Sequence, residues 1–271
     1  MGQRWYDDLV CEEVYSGFLS GSSGVEGAVL LAARAPGSGC WLNALPSPSL
    51  GLRLGDRELS IAVGLRLGCP VVASHVCRCG ATVASDGHHG LSCRKSAGRQ
   101  SRHASINLLL ALALRSAGVP TQLEPVGLLP GGLLRPDGGT LVPWSHGRCL
   151  AWDFTCPDTV APTHLVISSQ ASGSAALAAE SLKRIKYAGL VASHAFVPVA
   201  IETLGSWGPE ASVLVSEIGR RLEMTQGEPR ATSFLRQRIS IAMQRGNAVS
   251  VLGTLEEVPL LCEENRSGGP P

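Results

Sequence analysis

Aromatic residues make up only 4% of the 271-residue chain, which leaves little material for a row of rings that stacks bases. Net charge is scarce as well. Lys and Arg total 23 against 22 Asp and Glu, so any nucleic-acid contact has to come from a local basic patch. No apolar run approaches the ~20 residues of a membrane-spanning helix. The longest, 106–114, is interrupted by Asn107. The start carries no secretory leader, and Tyr6 stands where a myristoylation signal needs Ser or Thr. We expect a soluble intracellular protein with no membrane contact and a chain long enough for a sizeable core.

Cysteine, by contrast, is plentiful. There are nine, an odd number, and three fall within 77–93, which suggests metal ligation in a reducing compartment rather than a disulfide framework. Cys77 and Cys79 are followed by nine residues, His89, three residues and Cys93. Zinc takes four nitrogen or sulfur ligands in a tetrahedron, usually as two close pairs flanking a loop. A helix starting near Gly87 would put His89 and Cys93 on one face at i and i+4. His88 is a rival ligand, and reduced cysteines that merely cluster are the alternative to Zn²⁺. With every position filled by protein, the zinc site would be structural.

Periodicity divides the rest. Residues 1–34 read as two helices, the first capped by Asp7 or Asp8, and 35–50 as a connector pinned by Trp41. Asp56 is expected to cap a helix with Leu59, Val63 and Leu67 on its apolar face. Arg94, Lys95, Arg99, Arg102 and His103 form a basic run leading into a helix over 101–117. Strands follow at 121–127, 137–144 and 149–155, then a helix over 174–190, a strand at 196–203, and helices at 209–224 and 231–246. This order predicts an α/β fold with a mixed sheet flanked by helices.

Two acids stand out. The strand at 149–155 is apolar on both faces, so Asp153 needs a cation or hydrogen bonds to offset its lost hydration. Asp137 lies in Pro-Asp-Gly, whose default reading is a turn. Brought together on adjacent strands, Asp137 and Asp153 could share Mg²⁺ or Mn²⁺, with a lysine stabilising transition-state charge. Thr155, two residues after Asp153, is not that lysine, so the cation has to come from elsewhere in the chain. Lys183 and Lys186, on one helix face beside Tyr187, are the candidates, and a solvated helix face is their default reading. Glu124 is a further candidate acid.

These strings resemble the C-terminal region of non-LTR retrotransposon proteins that carry a restriction-like endonuclease. Cys77, Cys79, His89 and Cys93, with His-Gly-Leu-Ser-Cys at 89–93, match the family's zinc knuckle. Arg-Pro-Asp-Gly at 135–138, Trp-Asp-Phe-Thr at 152–155 and Lys186-Tyr187, with Lys183 one turn earlier, match its PD-(D/E)XK-type motifs. The resemblance implies a restriction-endonuclease-like domain over 98–255, after a helical linker (1–72) and the knuckle (73–97), with a flexible tail at 256–271. It further implies Asp137, Asp153, Lys186 and Lys183 as catalytic residues, and a nuclear protein that nicks target DNA to prime reverse transcription. Arg94, Lys95, Arg99 and Arg102 would bind nucleic acid, either DNA or the element's RNA. No reverse transcriptase is present, fifteen residues separate the two aspartates, and 129–134 is apolar where relatives are basic. A catalytically dead nucleic-acid-binding module, or a relic of such an element, is the alternative.

Overall fold

The computed structural model describes residues 3–96, 98–129 and 134–255, with side chains from residue 7 onward. Among them, nine helices run α1 (Gln3–Gly21), α2 (Gly24–Arg34), α3 (Asp56–Leu67), α4 (His88–Ser92), α5 (Gly98–Ser116), α6 (Leu165–Ser168), α7 (Ser174–Lys186), α8 (Pro209–Gln226) and α9 (Ala231–Leu252). Six strands run β1 (His75–Val76), β2 (Thr82–Val83), β3 (Thr121–Leu123), β4 (Gly138–Ser145), β5 (Arg148–Thr155) and β6 (His194–Ala200). The tail at 256–271 lies outside the described residues.

Strands β3 to β6 form one mixed sheet in chain order, antiparallel up to β5 and parallel between β5 and β6. Leu150, Trp152 and Phe154 point to one face and pack against Ile106, Leu110 and Leu114 of α5 and Leu214, Val215 and Ile218 of α8. Ala151 and Phe196 line the other face, covered by Tyr187, Leu190 and the apolar side chains of Leu128, Leu129 and Leu134. The predicted α/β architecture is therefore present, with helices on both faces of a buried β5. Proline is tolerated where the ladder lets it be: Pro198 is on the edge strand and Pro143 at an irregularity in β4.

Two buried glutamates cap helices in place of the usual short polar residue. Glu180 accepts from the backbone N–H groups of Glu210 and Ala211 at the start of α8, at 3.1 and 2.9 Å. Glu202 accepts from Ala176 near the start of α7 at 3.0 Å. Burial pushes both carboxyls above their usual range.

Helix α9 ties the regions together, packing against α3, α4, α5, α8 and the short turn Cys40–Asn43, where Trp41 is buried. Three expectations for the N-terminal region are corrected. Asp56 is the first residue inside α3, and Gly55 occupies the cap position. Asp7 and Asp8 lie inside α1 rather than capping it. In α3, Leu59, Val63 and Leu67 are exposed, while Ile61, Ala62 and Leu65 are buried. That helix has two apolar stripes, and contact with Ile241, Ala248 and Val251 of α9 selects the second.

The Pro-Asp-Gly string is also not the turn its composition suggests. Gly138 begins β4 paired with Trp152, and its φ is not left-handed. Glycine is required for space: a Cβ there would fall 2.0 Å from Cζ2 of the Trp152 ring. Gly138→Ala should therefore overpack the core and cost about 1–3 kcal/mol, read as a lower thermal midpoint. An unchanged midpoint would show that the indole is free to move.

Candidate active site and metal centre

The sheet register brings the two acids together. The β4–β5 pairing begins at Gly138↔Trp152, so Asp137 and Asp153 each lie one residue beyond it, and the Asp137 side chain takes the Phe154 N–H there. The hydrogen bond from Glu124 N–H to the Asp137 carbonyl, 2.8 Å, extends the β3–β4 ladder to the same row. His103 and Tyr187 each feel the charge of both acids, and like charges so placed repel. Asp153 is neighboured by a lysine and Asp137 by a histidine. Asp153, 4% exposed, pairs through Oδ2 with the Lys183 ammonium, and its Oδ1 accepts from the Tyr187 hydroxyl at 2.5 Å. Burial and the Asp153 charge drive the Tyr187 phenol far above its ordinary pKa, so it stays a donor.

Asp137 is held through Oδ2, which accepts from Phe154 N–H at 2.6 Å and lies 3.0 Å from His103 Nε2. Burial alone would raise its pKa, but His103 and the Phe154 amide outweigh it, and the carboxyl sits below its usual range. The hydrogen bond to Asp137 in turn raises the pKa of His103 against the opposing effect of burial. Glu124 instead pairs with Arg135 at 2.5 Å on the outside of the row, with a positive φ of 48°.

Of the two helical lysines, Lys183 reaches Asp153. Lys186 turns its ammonium over the Tyr187 ring, 4.8 Å from the centroid. Tyr187, one turn beyond Lys183, and His103, one turn before Asn107, are the site residues that sequence reasoning did not assign. Their i, i+4 spacing to polar partners was the available signal.

A groove of about 730 Å³ opens beside this cluster, lined by Arg94, Lys95, Arg99, His103, Thr155 and Lys183 among others, with no acid among its lining residues. Arg94, Lys95 and Arg99 are exposed along it. Arg102 departs from the expected phosphate-facing role. It is 2% exposed, donates to Asn247 Oδ1 at 2.6 Å and to the Leu91 carbonyl at 3.3 Å, and ties α5 to α9 and α4.

The cysteine cluster is built by the β1–β2 hairpin and α4. Its tight turn is closed by Gly80 N–H to the Cys77 carbonyl at 2.7 Å, with Gly80 at φ 91°. The ligand atoms of Cys77, Cys79, His89 and Cys93 all lie within 4.8 Å of one another. Zn–S bonds of about 2.3 Å imply a tetrahedral S···S edge of about 3.8 Å. The Cys77–Cys93 separation is 3.8 Å, and Cys79 Sγ lies 3.2 Å from His89 Nε2. This soft, four-cornered donor set fits zinc and can chelate it with no corner left for substrate. His88 belongs elsewhere: its backbone N–H and ring both face Asp86, at 3.0 and 3.5 Å. Burial raises the Cys77 thiol, whereas the backbone hydrogen bond from Ala81 lowers Cys79.

Two measurements follow. Elemental analysis should find one zinc per chain, lost in Cys79→Ser and retained in His88→Ala; zinc retained by Cys79→Ser would remove the site. In the groove, burial raises the Cys156 thiol to about 11. At pH 8 only about one in a thousand Cys156 side chains is then a thiolate, and peptide mapping should show far slower alkylation there than at exposed Cys11 or Cys69.

Among the described residues no helix is long and apolar enough to cross a membrane. No protein-family model matches the chain, and no curated protein matches it.

Proposed function

We propose that this chain is a metal-dependent DNA endonuclease domain of the kind found in non-LTR retrotransposon proteins, nicking target DNA so that the freed 3′ end primes reverse transcription. The observation that carries this reading is Asp137 and Asp153 at the end of the β4–β5 pairing, with their partners His103 and Lys183 lining a groove rich in cations. Asp137 and Asp153 are hard oxygen donors in one place, suited to Mg²⁺ or Mn²⁺, which take one or two carboxylates with water and phosphate oxygens. Such an ion, when bound, acidifies a water and neutralises charge on the attacked phosphodiester.

The chain's own groups account for the rest. Arg94, Lys95 and Arg99 bind the sugar-phosphate backbone, and Lys183 offsets negative charge developing at phosphorus. Tyr187 keeps Asp153 in place and cannot itself lose a proton at neutral pH. The zinc cluster holds α4 and the start of the basic run.

One observation favours the alternative of a non-catalytic binding module: protein donors already take both oxygens of Asp153 and Oδ2 of Asp137. A supercoiled-plasmid assay with Mg²⁺ or Mn²⁺ separates the two. The nuclease reading expects metal-dependent nicking, a loss of about 10²–10³ in Lys183→Ala, near abolition in Asp137→Asn, and an unchanged rate in Lys186→Ala. DNA binding without nicking selects the module. Either way, three groove cations predict a log–log salt slope of about −2.7 for duplex DNA, reduced by about 0.9 in Arg99→Ala.

A further inference from the structure

We infer that His103 is a positioning residue for Asp137, fixed in one neutral tautomer by a hydrogen-bond chain that starts at the Trp152 indole. The indole N–H is only a donor, lies in the core, and is given to Asn107 Oδ1 at 3.0 Å. With its oxygen so used, the Asn107 amide turns Nδ2, which can only donate, toward His103 Nδ1 at 3.3 Å. Flipping the amide would set two donors face to face and leave a buried N–H unsatisfied, so the core tryptophan decides its orientation.

A donor facing Nδ1 makes that nitrogen the acceptor. The neutral ring then carries its single proton on Nε2, 3.0 Å from Asp137 Oδ2. His103 and Asn107 sit one turn apart on α5, whose buried side chains Ile106 and Leu110 hold the helix to the sheet. The His103 ring also tilts against Phe154, with centroids 5.7 Å apart. Asp137 is thus gripped from two directions, by the Phe154 amide within β5 and by α5 through His103, with the Asn107 amide adding to the second. The cue reaches the acid from Trp152, the ring that required glycine at 138.

The catalytic consequence rests on the nuclease reading; the tautomer and the grip do not. Long-range ¹H–¹⁵N spectra of the full chain, at a pH where the ring is neutral, should show His103 as the Nε2–H form, assigned by its absence in His103→Gln. Asn107→Asp, which puts an acceptor in place of the amide donor, should move the proton to Nδ1. Exchange of the Phe154 amide reports the position of Asp137. It should speed up about tenfold in His103→Ala, as for one lost hydrogen bond of ordinary strength, and return toward wild type in His103→Gln, whose amide can donate.

An Nδ1–H tautomer in the wild type, or Phe154 exchange unmoved by His103→Ala, would overturn the inference. A chain that passes both tests yet nicks no DNA keeps the positioning role and loses the nuclease.

Discussion

A carboxylate in the middle of a sheet is the constraint around which this protein is built. Asp153 is almost wholly removed from water, and an unpaired charge there would cost several kcal/mol. The cost grows because Asp137 lies close by, just before β4, and like charges repel. The fold answers with one helix per acid. Helix α7 brings Lys183 and Tyr187 to Asp153, and α5 brings His103 to Asp137. Shifting α7 along the sheet would leave the buried Asp153 charge uncompensated, and shifting α5 would take His103 away from Asp137, so these two residues constrain how both layers dock.

The same groups serve stability and the site at once. Trp152 fills the core between the sheet and α5, excludes a side chain at Gly138, and orients Asn107 through its indole N–H. Arg102 shows the reverse assignment, a charged residue in a basic run that has become internal scaffolding between α5, α9 and α4. Its neighbours Arg94, Lys95 and Arg99 stay in solvent, where Lys95 and Arg99 also lean on the carbonyls of Arg78 and Ser92 in the cysteine cluster. Gly90 of α4 lies so close to α9 that a Cβ would meet the Ser250 carbonyl at 2.8 Å. The cluster, the cationic groove and the acidic row are therefore parts of one packed body.

Local patterns were legible before any fold was known. The alternation at 149–155, the helical periods at 101–117 and 174–190, and the spacing of Cys77, Cys79, His89 and Cys93 reflect backbone geometry and ligand reach. The need of Asp153 for a partner was likewise a matter of solvation physics. Composition misled where a residue has two uses. Pro-Asp-Gly read as a turn but feeds a strand, and α3 carries two apolar stripes of which only one is covered.

Sequence by itself determined most of the elements, the presence of a buried acid and the spacing of a candidate metal cluster, because these depend on neighbours within a few residues or on chemistry carried by single side chains. Tertiary structure decided that Lys183 rather than Lys186 meets Asp153, that His89 rather than His88 joins the cysteines, and that Arg102 is internal. It also recruited His103 to Asp137. Each of those choices turns on helix rotation and docking depth, quantities set by packing between segments far apart in the chain and invisible to any local pattern.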